Sequence, residues 1–235
     1  MTKPTIVSRE DWLTARRALL AEEKAFTHAR DALSEARRRL PWARIDRPYV
    51  FQGPQGEETL ADLFEGRGQL IVYHFMFAPE WTDGCKSCSF WMDNFDNVIT
   101  HLNQRDVSFV AVSRAALDKL EAFKRRLGWR FRWVSSGDGA FNYDFRVSFT
   151  EADKAKGEIA YNYGTRKYFS SDGPGLSVFA RDEAGAVYHT YSCYARGLDM
   201  LNTAYHLLDL VPKGRDEDAL PFPMTWVRLH DRYGT

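Results

Sequence analysis

Cysteine is scarce in this chain, with three among 235 residues: Cys85, Cys88 and Cys193. A second Cys-x-x-Cys pair is therefore absent, which excludes the zinc modules built from two such pairs. An excess of either charge is missing too, because 32 basic residues balance 32 acidic ones. That removes a general electrostatic case for nucleic acid or for an anionic membrane surface. No run approaches the roughly 20 apolar residues that span a bilayer. The N-terminal stretch has no apolar core of the signal-peptide kind, so the expected location is cytoplasmic. In a reducing cytosol paired thiols are usually transient and catalytic. Internal repeats and low-complexity segments are missing as well. What remains is a chain with 44% hydrophobic residues, enough for one substantial core with appendages.

The organising stretch runs from Gln69 to Gln104. QLIVYHFMF is an almost unbroken apolar run, which at this length predicts a strand, Leu70–Phe77, buried on both faces. Pro79 and Gly84 punctuate the loop after it. Trp91, Phe95, Val98 and Leu102 then recur at helical spacing, with Met92 and Ile99 widening the same face. Cys85 and Cys88 thus fall where a buried strand has ended and a helix begins. The unpaired N–H groups and partial positive charge of a helix start favour a thiolate over a thiol. A spacing of three puts Cys88 within reach of a mixed disulfide at Cys85. Strand, loop, Cys-x-x-Cys and helix together form the local signature of a thioredoxin-like redox site. Two plainer readings stand beside it. A zinc half-site would need Cys193 or His74, His101 or His189, none at a recognisable ligand spacing, and the thiols could be structural.

Before this stretch, Ser8 and Asp11 have capping-box spacing and open a helix near Arg9. It meets no Gly or Pro before Pro41. Trp12, Leu19, Phe26, Leu33 and Leu40 lie seven apart, a stripe suited to packing on its own domain or on a second copy. Glu22 interrupts the companion row. Thr59 and Asp62 predict another capped turn, closed by Gly66 and Gly68. After the cysteines, Val107–Val112 reads as a strand and Ser113 as the cap of a helix through Leu127 closed by Gly128. Trp129–Val134 is a further strand. Residues 135–172 read as an insertion with one weak helix near Thr150–Gly157, a candidate lid. Leu176–Ala180 and Ala186–Tyr191 flank Asp182-Glu183-Ala184-Gly185, a hairpin signal. A last helix carries Leu198, Leu201, Tyr205 and Leu208, and Phe222, Met224, Trp226 and Tyr233 are expected to anchor the tail.

FMFAPEWTDGCKSCS resembles a bacterial family of unknown function described as predicted dithiol–disulfide oxidoreductases. That family is thioredoxin-like and related to the alkyl hydroperoxide reductase and thiol-specific antioxidant group. RRRLPWARI, YVFQGPQG and FPMTWVRLHDRY extend the resemblance over nearly the whole chain. It implies an α/β, thioredoxin-like three-layer fold with a central mixed β-sheet, preceded by a long N-terminal helix. The expected organisation is a helical arm over 1–40, a thioredoxin-like domain over 41–212 with the 135–172 insertion, and a packed tail over 213–235.

GPGLSVFARDEAG is similar to the superfamily segment that carries a cis-proline beside the cysteines, a role that would fall on Pro174. Lys86-Ser87 between the cysteines departs from the Gly-Pro of a reducing thioredoxin. Pro79, Thr82 and Cys85 resemble a peroxiredoxin's Pro, Thr and attacking Cys, with the Pro-to-Thr spacing one residue short. Arg130 and Arg146 are candidates for the arginine that polarises peroxide. Trp81 is a candidate cover for the site.

The expectation is a thiol–disulfide oxidoreductase in which Cys85 attacks and Cys88 resolves, with Trp81, Thr82 and Pro174 contacting substrate. The alternatives are a thiol peroxidase, or a redox sensor or binding module. A disulfide or peroxide and a thiol reductant are the expected partners, with a homodimer through the N-terminal helix as a further candidate. No metal and no separate cofactor are expected, since a dithiol itself carries two electrons. His74 reads as a buried hydrogen-bonded histidine or a proton shuttle, and Cys193 as a packed small hydrophobe or a third redox thiol.

Overall fold

The computed structural model describes residues 4–234. The first three residues of the expected arm and the last of the expected tail lie outside them. The chain divides into Met1–Pro41 and Trp42–Thr235.

In the first unit one helix, α1 (Arg9–Arg38), has Ser8 as its N-cap, with the Asp11 N–H donating to the Ser8 hydroxyl. Glu10 and Asp11 open it and Arg37 and Arg38 close it, complementing the helix dipole. None of its residues is buried. Trp12, Leu19, Phe26, Leu33 and Leu40 are between 45% and 70% exposed.

The second unit is built on an eight-stranded sheet. Its strands are β1 (Ala43–Arg44), β2 (Val50–Gly53), β3 (Gly56–Thr59), β4 (Gln69–His74), β5 (Val107–Ser113), β6 (Arg132–Ser135), β9 (Gly175–Arg181) and β10 (Val187–Tyr194). They are ordered β1-β10-β9-β4-β5-β6-β2-β3. A separate hairpin joins β7 (Glu158–Tyr161) to β8 (Gly164–Lys167). β4, β5 and β6 run parallel, while β9 is antiparallel to β4 and β10 to β9. The helices are α2 (Lys86–Phe95), α3 (Ile99–Asn103), α4 (Leu117–Arg126), α5 (Phe141–Asp144), α6 (Glu151–Lys156) and α7 (Thr203–Leu208).

The period of two along β4 divides the core. Tyr73, Phe75 and Phe77 join Cys88, Met92, Phe109, Leu120, Phe123 and Trp133 in one cluster. Leu70 and Val72 join Val110, Val112, Val134, Phe141, Phe145 and Phe179 in another. Both faces of the strand are covered, which explains the unbroken apolar run. The result is the three-layer, thioredoxin-like α/β arrangement: helices α2 and α4 on one face, α5 and the 3₁₀ turn Asp62–Phe64 on the other.

Several local expectations need correction. The helix after the cysteines stops at Phe95, because the Asp96 carboxylate is recruited by the N–H groups of Arg130 and Phe131. Val98, placed on the buried face by spacing, is 44% exposed. Ser113 ends β5 rather than capping α4; its hydroxyl donates to Phe75 O and accepts from the Trp133 indole. Residues 141–161 contribute Phe141, Phe145, Val147, Phe149, Ile159 and Tyr161 to the cluster without the cysteines, so this part of the expected insertion packs into the core, while 150–158 and 162–167 are mostly exposed. The last helix is split at Asn202, which ends a 3₁₀ segment and caps α7. In the tail, Val227 and Leu229 are the buried anchors beside half-buried Met224 and Trp226, whereas Phe222 and Tyr233 are exposed.

Candidate active site around Cys85 and Cys88

Pairing beyond β4 carries the chain toward the cysteines: Phe75 N–H donates to Val112 O at 2.9 Å and Ala115 N–H to Phe77 O at 2.8 Å. The loop Ala78–Gly84 is then tied to α4. The Lys119 ammonium donates to Pro79 O at 2.8 Å and also to Trp81 O. Asp83 binds Arg126 and Arg232, each at 2.8 Å. Gly84 is required by close approach, since a Cβ there would lie 2.7 Å from the Phe75 ring and 3.1 Å from that of Phe123. The turn delivers Cys85 as the N-cap of α2.

Cys85 is half-buried and Cys88 buried. The Cys88 N–H points at Cys85 Sγ, 3.4 Å away, and the Cys85 N–H donates to Met76 O at 3.1 Å. Cys85 O accepts from the Ser89 N–H at 2.9 Å and from the Ser89 hydroxyl at 3.0 Å. The hydrogen bond from the Cys88 thiol, with the N–H groups of Cys88 and Ser87 and the Ser87 hydroxyl, lowers the Cys85 pKa to about 7 against the opposing effect of burial. Cys88 moves the other way: burial, its bond to Cys85 and the Cys85 charge push it well above the ordinary thiol range. Two contacts counter this rise, from the Met76 N–H and the Tyr73 hydroxyl. Tyr73 is itself fully buried and stays neutral, mainly through burial. The pair is therefore asymmetric, with Cys85 the more acidic thiol and Cys88 held protonated.

The remaining predicted residues are placed as follows. Trp81 is half-buried and packs, with Cys85, against the cluster that holds Cys88. Thr82 is exposed and is not among the groups that set the Cys85 pKa. Pro174 immediately precedes β9, whose Gly175 pairs with His74, so it stands at the end of β4 from which the cysteine loop emerges. No cis peptide bond occurs among the described residues, so the cis-proline expectation for Pro174 is corrected to trans. Its carbonyl accepts from the Tyr161 hydroxyl at 2.6 Å, which also accepts from the Ala195 N–H. Arg130 pairs with Asp96, and Arg146 lines a separate pocket with Tyr161 and Tyr163. Neither is among the groups acting on Cys85.

His74 points to the opposite face, between Phe141 and Phe145, and bonds to Ser177 at 2.8 Å. Burial, with a contribution from His189, lowers its pKa to about 3. It is a buried neutral histidine, and no cysteine contributes to its titration. Cys193 is buried on β10 within the same cluster as Cys88. Among the described residues no group of three or more His, Cys, Asp or Glu is arranged to hold a metal ion, and no helix is long and apolar enough to cross a membrane.

Sequence reasoning overlooked Tyr73, Met76 and Ser87. Tyr73 was accessible from the period of two, which puts it on the same strand face as Phe75 and Phe77. Met76 acts through its backbone and leaves no such signal. Lys86 was noted only as part of the dipeptide between the cysteines, yet its ammonium donates to Thr225 O at 3.1 Å, bringing the tail to the site.

Solved structures similar to this chain include peroxiredoxins. A cysteine-to-serine mutant of peroxiredoxin Q from Xanthomonas campestris is 18% identical with a TM-score of 0.46, over 72% of this chain and 95% of that one. Peroxidoxin BcpB of Mycobacterium tuberculosis is 11% identical, with a TM-score of 0.39, over 70% and 94%. The mitochondrial 2-cys peroxiredoxin of Plasmodium falciparum is 14% identical, with a TM-score of 0.38, over 72% and 93%. No curated protein matches the sequence. A family model does, over residues 1–233, and the chain belongs to that family, described as bacterial protein of unknown function (DUF899).

Proposed function

We propose that this protein is a dithiol–disulfide oxidoreductase in which Cys85 is the nucleophile and Cys88 the resolving thiol. The observation that carries the reading is the opposed pair of shifts, Cys85 down to about 7 and Cys88 upward, across one hydrogen-bonded contact. The Cys85 thiolate attacks one sulfur of a substrate disulfide RSSR, forming Cys85–S–S–R and releasing RS⁻, which takes a proton. That step removes the Cys85 charge, one of the causes holding the Cys88 proton. Cys88 then loses its proton, stabilised by the Tyr73 hydroxyl and the Met76 N–H, and attacks Cys85 Sγ. The Cys85–Cys88 bond forms and the second RS⁻ leaves. Two electrons pass from the dithiol to the substrate, and an external thiol reductant returns them.

Trp81 and Pro174 form the walls of the substrate site, and Thr82 lies at its rim. Peroxide is the weaker second substrate: Thr82 is exposed, and no arginine is among the groups that set the Cys85 pKa. The exposed stripe of α1 is the surface through which two copies associate, and the protein works in the cytoplasm. The test is turnover of a small disulfide with a recycling reductant, set beside the reduction potential of the Cys85–Cys88 pair. Multiple turnovers support the oxidoreductase; a single oxidation without turnover would make the pair a sensor.

A further inference from the structure

The tail brings a second cation to the site. The Lys86 ammonium and the Arg228 guanidinium both donate to one acceptor, Thr225 O, at 3.1 Å and 2.8 Å. Arg228 also donates to Val227 O at 3.0 Å. Neither cation has an ion-pair partner among the described residues, where most arginines of this unit are engaged by carboxylates. Two carboxylates, one on the cysteine loop and one on the tail, are committed elsewhere. Asp83 holds Arg126 and Arg232, and Glu217 accepts from the Tyr205 hydroxyl, the Met224 N–H and the Trp226 indole. Two like charges sharing one carbonyl repel, and the Lys86 pKa is lowered by burial and by Arg228. The Cys85 thiolate is the anion that acts on Lys86, and it loses its charge when the mixed disulfide forms.

We infer that Lys86 and Arg228 form an anion subsite beside Cys85, and that the substrate is a small disulfide carrying a carboxylate close to its sulfur atoms. This inference rests on the oxidoreductase reading above. A carboxylate entering with the substrate supplies the counter-charge that the protein itself does not provide. It also keeps Lys86 compensated after Cys85 is consumed. Because Thr225 and Arg228 belong to the tail, the last segment of the chain contributes to substrate choice and not only to packing.

Three small disulfides of similar length separate the possibilities: 3,3′-dithiodipropionate (anionic), 2-hydroxyethyl disulfide (neutral) and cystamine (cationic). Each rate of oxidation of the reduced full-length protein is divided by the rate of the same disulfide with dithiothreitol, which removes leaving-group differences. The anion should lead the neutral compound by roughly fivefold per cation engaged, the order of an exposed ion pair, and cystamine should trail. Salt should compress the series as the Debye length falls from about 10 Å at 0.1 M to about 3 Å at 1 M. Lys86→Gln with Arg228→Gln should abolish the ordering, while Lys154→Gln on α6 should keep it. If all three disulfides react with no charge preference in the wild-type protein, the anion subsite is overturned and the oxidoreductase stands. If none forms the Cys85–Cys88 bond, the oxidoreductase reading itself fails. An ordering that survives the double substitution also overturns the subsite.

Discussion

The Cys88 backbone nitrogen lies 3.4 Å from Cys85 Sγ, so the residue proposed to resolve the mixed disulfide also helps to favour the thiolate proposed to form it. Burial raises the Cys88 pKa, and its bond to Cys85 adds to the rise, since a thiol donating to a neighbouring thiolate resists losing its proton. The order of the two proposed steps follows from this one hydrogen-bonded pair. Met76 joins both partners, accepting from the Cys85 N–H and acting on Cys88 through its own N–H.

Tyr73→Phe keeps the ring in the core and removes the hydroxyl that favours the Cys88 thiolate. The first step should keep its rate, and resolution should slow roughly fivefold, the scale of one net hydrogen bond. Rapid-quench mass spectrometry should then find the Cys85 mixed disulfide accumulating. An unchanged intermediate level would remove Tyr73 from the mechanism.

Acid should weaken the fold through His74. Its folded pKa of about 3 lies below the ordinary value, so between pH 6.5 and 3 the unfolded chain takes up the proton first. The stabilisation is complete above pH 6.5 and falls by about 1.4 kcal/mol per pH unit below it, or about 2 kcal/mol by pH 5. His189, also lowered by burial, acts with the same sign. Urea unfolding at pH 7 and pH 5 measures the slope, which should be shallower in His74→Asn even though that variant is less stable at pH 7. An equal slope in both proteins would contradict the assignment.

Gly84→Ala forces a Cβ to within 2.7 Å of the Phe75 ring. Overpacking of this kind costs about 1–3 kcal/mol, and here it displaces the turn that sets Cys85 at the helix start. Thermal unfolding should show the loss, and the Cys85 alkylation midpoint should rise toward the ordinary thiol value. A stable variant with an unshifted midpoint would show that the turn tolerates the methyl group.

The site strand and the start of its helix were legible because burial on both faces writes itself as QLIVYHFMF, and because the helical spacing of Trp91 and Phe95 begins right after the cysteines. The capped start at Ser8 and the Thr59–Asp62 hydrogen-bond pair were equally local signals, although the 3₁₀ turn Asp62–Phe64 begins after Ala61. Long-range competition hid the rest. Ser113 has the composition of a cap, but tertiary partners at Phe75 and Trp133 take its hydroxyl. The helix break at Asp96 depends on backbone N–H groups of Arg130 and Phe131, more than thirty residues away in sequence. The hairpin β7–β8 turns through Asn162 and Tyr163, both at positive φ, without the glycine that usually marks such a turn. Arg228 comes to share the Thr225 carbonyl with Lys86 only because the tail folds back, and nothing in its sequence neighbours announces that.

The exposed stripe of α1 predicts association. Sedimentation should give twice the chain mass for the full protein and the single-chain mass for a variant in which Leu19, Phe26 and Leu33 are replaced by Gln. Identical masses for the two would remove the arm from any assembly.

The most direct test of the account is the pH dependence of iodoacetamide labelling, resolved by peptide mass spectrometry, in Cys88→Ser and Cys85→Ser. Cys85 in the first protein should label with a midpoint below the ordinary thiol value of about 8.5, because the hydroxyl introduced at position 88 can still donate to its sulfur. Cys88 in the second should label slowly at pH 7, with a midpoint above that value. Faster labelling of Cys88 than of Cys85 at neutral pH would contradict the assignment of nucleophile and resolving thiol.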